Sequence, residues 1–171
     1  PTINQPGTYT LTVTDQNNGC SAAASVQVAS NTTAPTVSAA APQILTCTVT
    51  SVPLNGTVSQ PASGFSANWT TSNGQFVSGQ NTLAPTVSAP GTYLLTVQNQ
   101  QNGCTATATA TVSQNIAPPV ANAGPAPTIT CAQPQVSLNA GGSTGQGTLG
   151  FAWSGGQIVS GGNSATPTVA L

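Results

Sequence analysis

The sequence predicts an all-β chain built from tandem β-sandwich modules, and three observations carry that expectation. Landmark residues recur 84 positions apart: Cys20 and Cys104, Cys47 and Cys131, Trp69 and Trp153, Tyr9 and Tyr93. Apolar residues alternate with polar ones in register in both copies, which is the pattern of a half-buried antiparallel strand. No helical apolar period appears, and Pro, Gly and β-branched residues are spread throughout. A fixed period marks a tandem array. A unit of this length holding short strands fits a sandwich, not a short solenoid repeat.

The middle copy is complete and runs from about Thr33 to Gln114. Its first strand is expected near Thr36–Ala39, followed by a short segment at Gln43–Cys47. Next comes Val52–Val58, with Val52 and Leu54 on one face; Val136 and Leu138 take those places in the third copy. Phe65, Ala67 and Trp69 then point inward along one strand, as Leu149, Phe151 and Trp153 do in the third copy. The clearest hairpin follows. Tyr93, Leu95 and Val97 alternate up to a turn at Asn99–Gly103, where Asn-Gly supplies positive φ. The return strand, Cys104–Val112, turns its Ala and Val inward and its Thr outward. The first copy repeats the hairpin with Tyr9, Leu11 and Val13, then Ala22, Ala24, Val26 and Val28.

Composition narrows function sharply. The 171 residues include no Lys, Arg, His or Met and one acid, Asp15, where a soluble domain carries about a quarter charged residues. Without His, Lys or paired carboxylates, general acid–base catalysis has no agents, and no base stands ready to activate a Ser or Thr. An enzyme is therefore not expected, nor is any cofactor. Nucleic acid binding needs cations that the chain lacks, and one Asp cannot build a calcium site. No stretch is apolar enough to span a membrane, and no signal peptide is visible. The alternation argues against disorder despite the low charge.

The four cysteines, Cys20, Cys47, Cys104 and Cys131, stand singly at spacings of 27 and 57 with no His, so metal ligation is weak. In a chain this rich in Thr, Ser, Asn and Gln they are read as disulfide candidates in an oxidising compartment. Cys47 and Cys104 should lie at opposite ends of one sandwich, too far apart for a bridge whose Cα atoms must lie within about 7 Å. Bridges between successive modules are therefore favoured, Cys47 pairing beyond position 171 and Cys104 before position 1. An intramodule Cys47–Cys104 bridge with altered strand order is the rival.

Module joints fall at Ser30–Pro35 and Ser113–Pro119, short and Pro-bearing, so the array should behave as a semi-rigid rod. This divides the chain into residues 1–31, the closing hairpin of one repeat; 32–115, a complete repeat; and 116–171, the opening strands of a third. Pro1-Thr2-Ile3 aligns with Pro85-Thr86-Val87, and Pro167-Thr168-Val169 aligns with the same segment 82 positions on. The two outer sandwiches would be incomplete, with exposed edges. Either the chain is a segment of a longer one, which is the expectation, or subunits complete each other by donating strands. The duplicated five residues at the two ends favour the longer chain.

One Trp on a central strand and a Gly-x-Tyr opening a late strand, where a tyrosine corner would sit, point to an immunoglobulin-type sandwich. Strings such as Leu45-Thr46-Cys47, Asn68-Trp69-Thr70, Pro85–Tyr93 and Asn102–Thr107 resemble the repeats of giant surface adhesins of Bacteroidetes, similar to the SprB-type gliding adhesins. Pro119–Gly124 is similar to the start of a PKD (polycystic kidney disease) domain. The resemblance covers the whole chain. It implies tandem immunoglobulin-like (PKD-like) β-sandwich modules arranged end to end, in a protein secreted by the type IX route to the cell surface. Such families keep some Asp and Lys, whereas this chain has a single Asp and no Lys.

Several features have competing readings. The Thr ladder at 105, 107, 109 and 111 is read as a solvent-facing strand, since Ser21, Ala23, Ser25 and Gln27 replace it in the first copy. Trp69 and Trp153 are read as core, together with Tyr9, Tyr93, Leu54, Leu138, Leu95 and Val97, not as sugar platforms. Asp15 matches Asn99 and is read as a turn residue. Three glycosylation sequons, at Asn31, Asn55 and Asn68, are read as chance in an Asn- and Thr-rich chain.

The function expected is a non-enzymatic stalk or fibre of a secreted bacterial adhesin, indifferent to pH and salt because little titrates and little is screened. Its partners would be further repeats in cis, self-association into filaments, and a glycan or surface ligand. The alternatives are a filament subunit completed by neighbouring copies, a polysaccharide-binding module, and an enzyme accessory domain.

Overall fold

The computed structural model describes residues 1–171 and contains strands, turns and no helix. It divides into two compact units, Pro1–Gln114 and Asn115–Leu171.

The first unit opens with a hairpin of β1 (Gly7–Thr14) and β2 (Ser21–Val28), paired in full register from Gly7↔Val28 to Thr14↔Ser21. Neither strand joins a larger sheet. The rest of the unit is a sandwich made of β3 (Thr36–Ala40), β4 (Leu45–Thr46), β5 (Val52–Pro53), β6 (Asn55–Gln60), β7 (Phe65–Thr71), β8 (Phe76–Ser78), β9 (Thr86–Val87), β10 (Gly91–Asn99) and β11 (Thr105–Val112). One sheet has the order β11–β10–β7. The other is built on β5 and β6, which are one strand broken at Leu54. β3 pairs with β6, and β9 pairs with β5 on one side and β8 on the other. Bonds from Leu54 N–H to Pro85 O and from Gly56 N–H to Leu83 O continue that ladder past the break. Three strands facing a sheet of four in this connectivity is the immunoglobulin-like arrangement, so the expected all-β fold class is the one observed.

Alternation decides which side chains meet between the sheets. Trp69, Tyr93, Leu95 and Val97 from the three-stranded sheet are fully buried against Val52, Leu54 and Val87 from the other. On β11, Ala110 and Val112 are buried while Thr105, Thr107, Thr109 and Thr111 are exposed, as the ladder reading requires. The small Ala side chains of β11 leave the volume between the sheets to Trp69 and Leu95.

After β12 (Gln114–Asn115), the second unit holds β13 (Gln135–Ser137), β14 (Gln157–Ser160) and β15 (Thr168–Ala170) in the order β13–β15–β14. This repeats β5–β9–β8 pair for pair: Val136↔Val169 matches Val52↔Val87, and Ser137↔Thr168 matches Pro53↔Thr86. The same irregularity falls between Ile158 and Ser160 as between Phe76 and Ser78. The expected strand at Leu149–Trp153 is not formed. Those residues still alternate between half-buried and exposed, but no neighbouring strand supplies the ladder that β10 gives β7.

Candidate functional site

The two turns that carry cysteine are the same structure. Asp15 N–H donates to Cys20 O and Gly19 N–H to Asp15 O; Asn99 N–H donates to Cys104 O and Gly103 N–H to Asn99 O, all at 2.8–2.9 Å. The side chain of Asp15 accepts from Asn17 N–H at 2.8 Å, and that of Asn99 from Gln101 N–H at 2.9 Å. Asp15 is thus a turn residue, interchangeable with Asn because only its carbonyl-type oxygen is used. Positive φ is carried by Gly19 (76°) and Gly103 (75°) alone; Asn18 and Asn102 keep negative φ. The asparagines instead cap the turn through their side chains, which accept from Cys20 N–H and Cys104 N–H.

Asn102 has a further role that sequence reasoning missed. Its amide donates to Asn31 Oδ1 and Thr33 O, both at 3.0 Å. This ties the incoming chain, just before β3, to the turn at the start of β11. At the other extreme Leu45 N–H donates to Ser113 O, just past the end of β11. The chain therefore comes into the module beside Cys104 and leaves it beside Cys47. The signal was the Asn-Gly-Cys repeat itself, but a bond across 71 residues cannot be read from spacing.

This geometry settles the intramodule bridge. The eight residues of β11 separate Cys104 from the Leu45–Cys47 end by about 25 Å at ~3.3 Å per residue, far beyond disulfide reach. The structure records all four cysteines as thiols: Cys20, Cys47 and Cys131 are exposed and Cys104 is half-buried. No disulfide is formed within residues 1–171, and the favoured bridges between modules have their partners outside those residues.

The tyrosine corner is present in both copies. Tyr93 Oη donates to Ala89 O at 2.7 Å and accepts from Gln75 N–H at 3.0 Å. Tyr9 Oη donates to Gln5 O at 2.7 Å. Tyr93→Phe should cost about 1–3 kcal/mol in urea denaturation, because it leaves Gln75 N–H and Ala89 O unpaired. Tyr9→Phe should change stability by less than about 0.5 kcal/mol, since its acceptor is exposed.

Of the eight expected core residues, Trp69, Tyr93, Leu54, Leu95 and Val97 are fully buried. Tyr9, Trp153 and Leu138 are only half-buried and are corrected here. Local structure is preserved in each: Trp153 Nε1–H reaches Ser164 O at 2.9 Å just as Trp69 Nε1–H reaches Thr82 O at 3.0 Å. What differs is the neighbour within the sheet. Trp69 is flanked by the β10–β11 hairpin, with Leu95 directly beside it, and no such hairpin lies beside Trp153. Instead an open apolar groove runs along Pro119–Ala123 and Leu149–Trp153. Conversely, the inward-type residues of β1 and β2 face solvent: Leu11 is 65% exposed, Val13 59% and Val26 64%.

No helix of the structure is long and apolar enough to cross a membrane. No family model matches the chain, and no curated protein matches it. Among solved structures, the solution structure of the PKD domain (329-428) from human KIAA0319 aligns with 54% of this chain and 88% of its own length, at 16% identity and a TM-score of 0.36.

Proposed function

We propose that this chain is a non-enzymatic structural repeat, the stalk or fibre of a secreted bacterial cell-surface adhesin. The observation that carries the reading is the placement of the module's two chain ends. Asn31 and Thr33 are held at the Cys104 end, and Ser113 leaves at the Cys47 end. Successive modules of that form string lengthwise. Each Cys47-type end then meets the next Cys104-type end, where an exposed and a half-buried thiol would staple the joint. The near absence of charge makes such a rod indifferent to pH and ionic strength. Full burial of Trp69 removes the platform a polysaccharide-binding reading would need.

Tension along such a rod enters at the start of β3 and leaves at the end of β11, two strands that lie side by side. It must shear them past each other rather than peel them apart. Pulling the 171-residue chain by its ends should give one cooperative rupture for residues 36–112, lengthening the chain by roughly 250 Å at ~3.6 Å per extended residue. Antibodies to the middle module should label threads outside intact cells of the producing organism. Gradual extension without a rupture, or label confined within cells, would refute the stalk.

A further inference from the structure

We propose that Asn102 is a modification site: its amide is lost spontaneously when the clamp on the incoming linker opens, and the acidic residue left behind keeps that clamp from closing. The inference goes beyond the stalk reading and does not rest on it. Asn102 is followed by Gly103, the one residue type with no Cβ to keep its backbone nitrogen away from the asparagine side chain. The pair sits in the turn before β11, with Asn102 half-buried and Gly103 exposed. What sets it apart is what the amide holds. Asn102 Nδ2 donates to Asn31 Oδ1 and to Thr33 O, both at 3.0 Å, across 71 and 69 residues. Asn31, Thr32 and Thr33 are exposed and outside any strand, and Pro35 is the first buried residue after them. Two hydrogen bonds at the surface thus fix where the linker meets the module.

Closed, the clamp also holds the reaction off. Asn102 Oδ1 accepts from Cys104 N–H at 3.0 Å, and Gly103 N–H donates to Asn99 O at 2.8 Å. The carboxamide and the attacking nitrogen are both tied. When the linker leaves, Nδ2 is released and the side chain can turn. Gly103 N then bonds to Asn102 Cγ, the Cγ–Nδ2 bond breaks, and the amide nitrogen departs as ammonia with the Gly103 proton. One water opens the resulting succinimide at either carbonyl, giving aspartate or isoaspartate. Neither restores the clamp. Both N–H donors are gone, and a carboxylate would face Thr33 O, acceptor against acceptor. Asn31 can turn its own amide toward the new carboxylate, but the Thr33 carbonyl cannot. Isoaspartate also lengthens the main chain within the turn. The change is one-way and adds a negative charge to a chain of formal net charge −1. Asn55-Gly56 and Asn73-Gly74 are the contrast. Gly56 N–H lies in the ladder to Leu83 O, and Asn73 Oδ1 accepts from Thr92 N–H. Both are built into the sandwich and open only with it.

The test is peptide mass mapping of the full chain kept folded at mildly alkaline pH for several weeks, beside the same chain in urea. Conversion of amide to acid is expected at Asn102 in both, more slowly in the folded chain, and at Asn55 and Asn73 in urea alone. Asn31→Ala should speed the folded reaction at Asn102 by about three- to tenfold, the change in opening that one lost hydrogen bond brings. Gly103→Ala should slow it, because a Cβ obstructs the attack. Its strained φ loosens the turn, so a merely structural effect would go the other way. Asn102→Asp should raise proteinase K cleavage within Ser30–Pro35 by about tenfold, since cleavage tracks opening, while the module keeps its cooperative urea transition. Three results would overturn the proposal: a folded chain that keeps Asn102 intact while urea converts it, a rate indifferent to Asn31→Ala, or linker cleavage unchanged by Asn102→Asp. The rupture measurement tests the stalk separately from all of these.

Discussion

Trp69→Ala should abolish the cooperative unfolding of the middle module, while Trp153→Ala leaves the chain's stability almost unchanged. Trp69 is fully buried, donates its indole N–H to Thr82 O and stands beside Leu95 on the neighbouring strand. Truncating such a side chain costs about 3–5 kcal/mol, the lost transfer energy plus the cavity left behind. That is a large part of the total stability of a domain of this size. Trp153 holds the equivalent place in the repeat and makes the equivalent indole bond, yet it is half-buried. Its removal takes little apolar area out of contact and should cost under about 1 kcal/mol. Urea denaturation followed by near-ultraviolet circular dichroism reads both. Equal effects would mean that the two tryptophans occupy equivalent cores, contrary to the structure.

Gly74→Ala should destabilise the middle module by about 2–4 kcal/mol, more than Tyr93→Phe. A Cβ at position 74 would collide with the Tyr93 hydroxyl and ring. The tyrosine cannot swing aside. Its ring is edge-on to Phe76 with centroids 5.3 Å apart, and its hydroxyl holds Ala89 O and Gln75 N–H. Overpacking alone costs about 1–3 kcal/mol, and displacement of the hydroxyl adds the unpaired groups at both partners. Combining Gly74→Ala with Tyr93→Ala should remove the clash, so the double variant should be no less stable than Tyr93→Ala alone; additive losses would contradict the contact. Gly103→Ala is the useful contrast. No atom lies within 4 Å of a Cβ built there, so its cost comes only from φ of 75°, about 1 kcal/mol.

The periodic features were legible because they are local. Thr at 105, 107, 109 and 111 faces out and Ala110 and Val112 face in, since adjacent residues of any strand point to opposite faces. The turn at Asp15–Cys20 followed from its match to Asn99–Cys104. The tyrosine corner followed from its position at the start of a late strand. Burial was less legible. Tyr9, Trp153 and Leu138 carry the same pattern as Tyr93, Trp69 and Leu54, yet alternation states only which face a side chain shares. It does not state whether a neighbouring strand completes the sheet around that residue. The strand expected at Leu149–Trp153 failed for the same reason, since a strand needs a neighbour's backbone groups and not only its own pattern.

The sequence by itself determined the all-β class, the 84-residue repeat, the near absence of charge and which residues of a strand share a face. These follow from residue type and spacing, which act within a strand or a turn. Only the tertiary structure decided how deeply each inward residue is buried, that Leu149–Trp153 forms no strand, and that Asn102 anchors the incoming chain. Each of those depends on which distant segments meet, through contacts that no local period encodes.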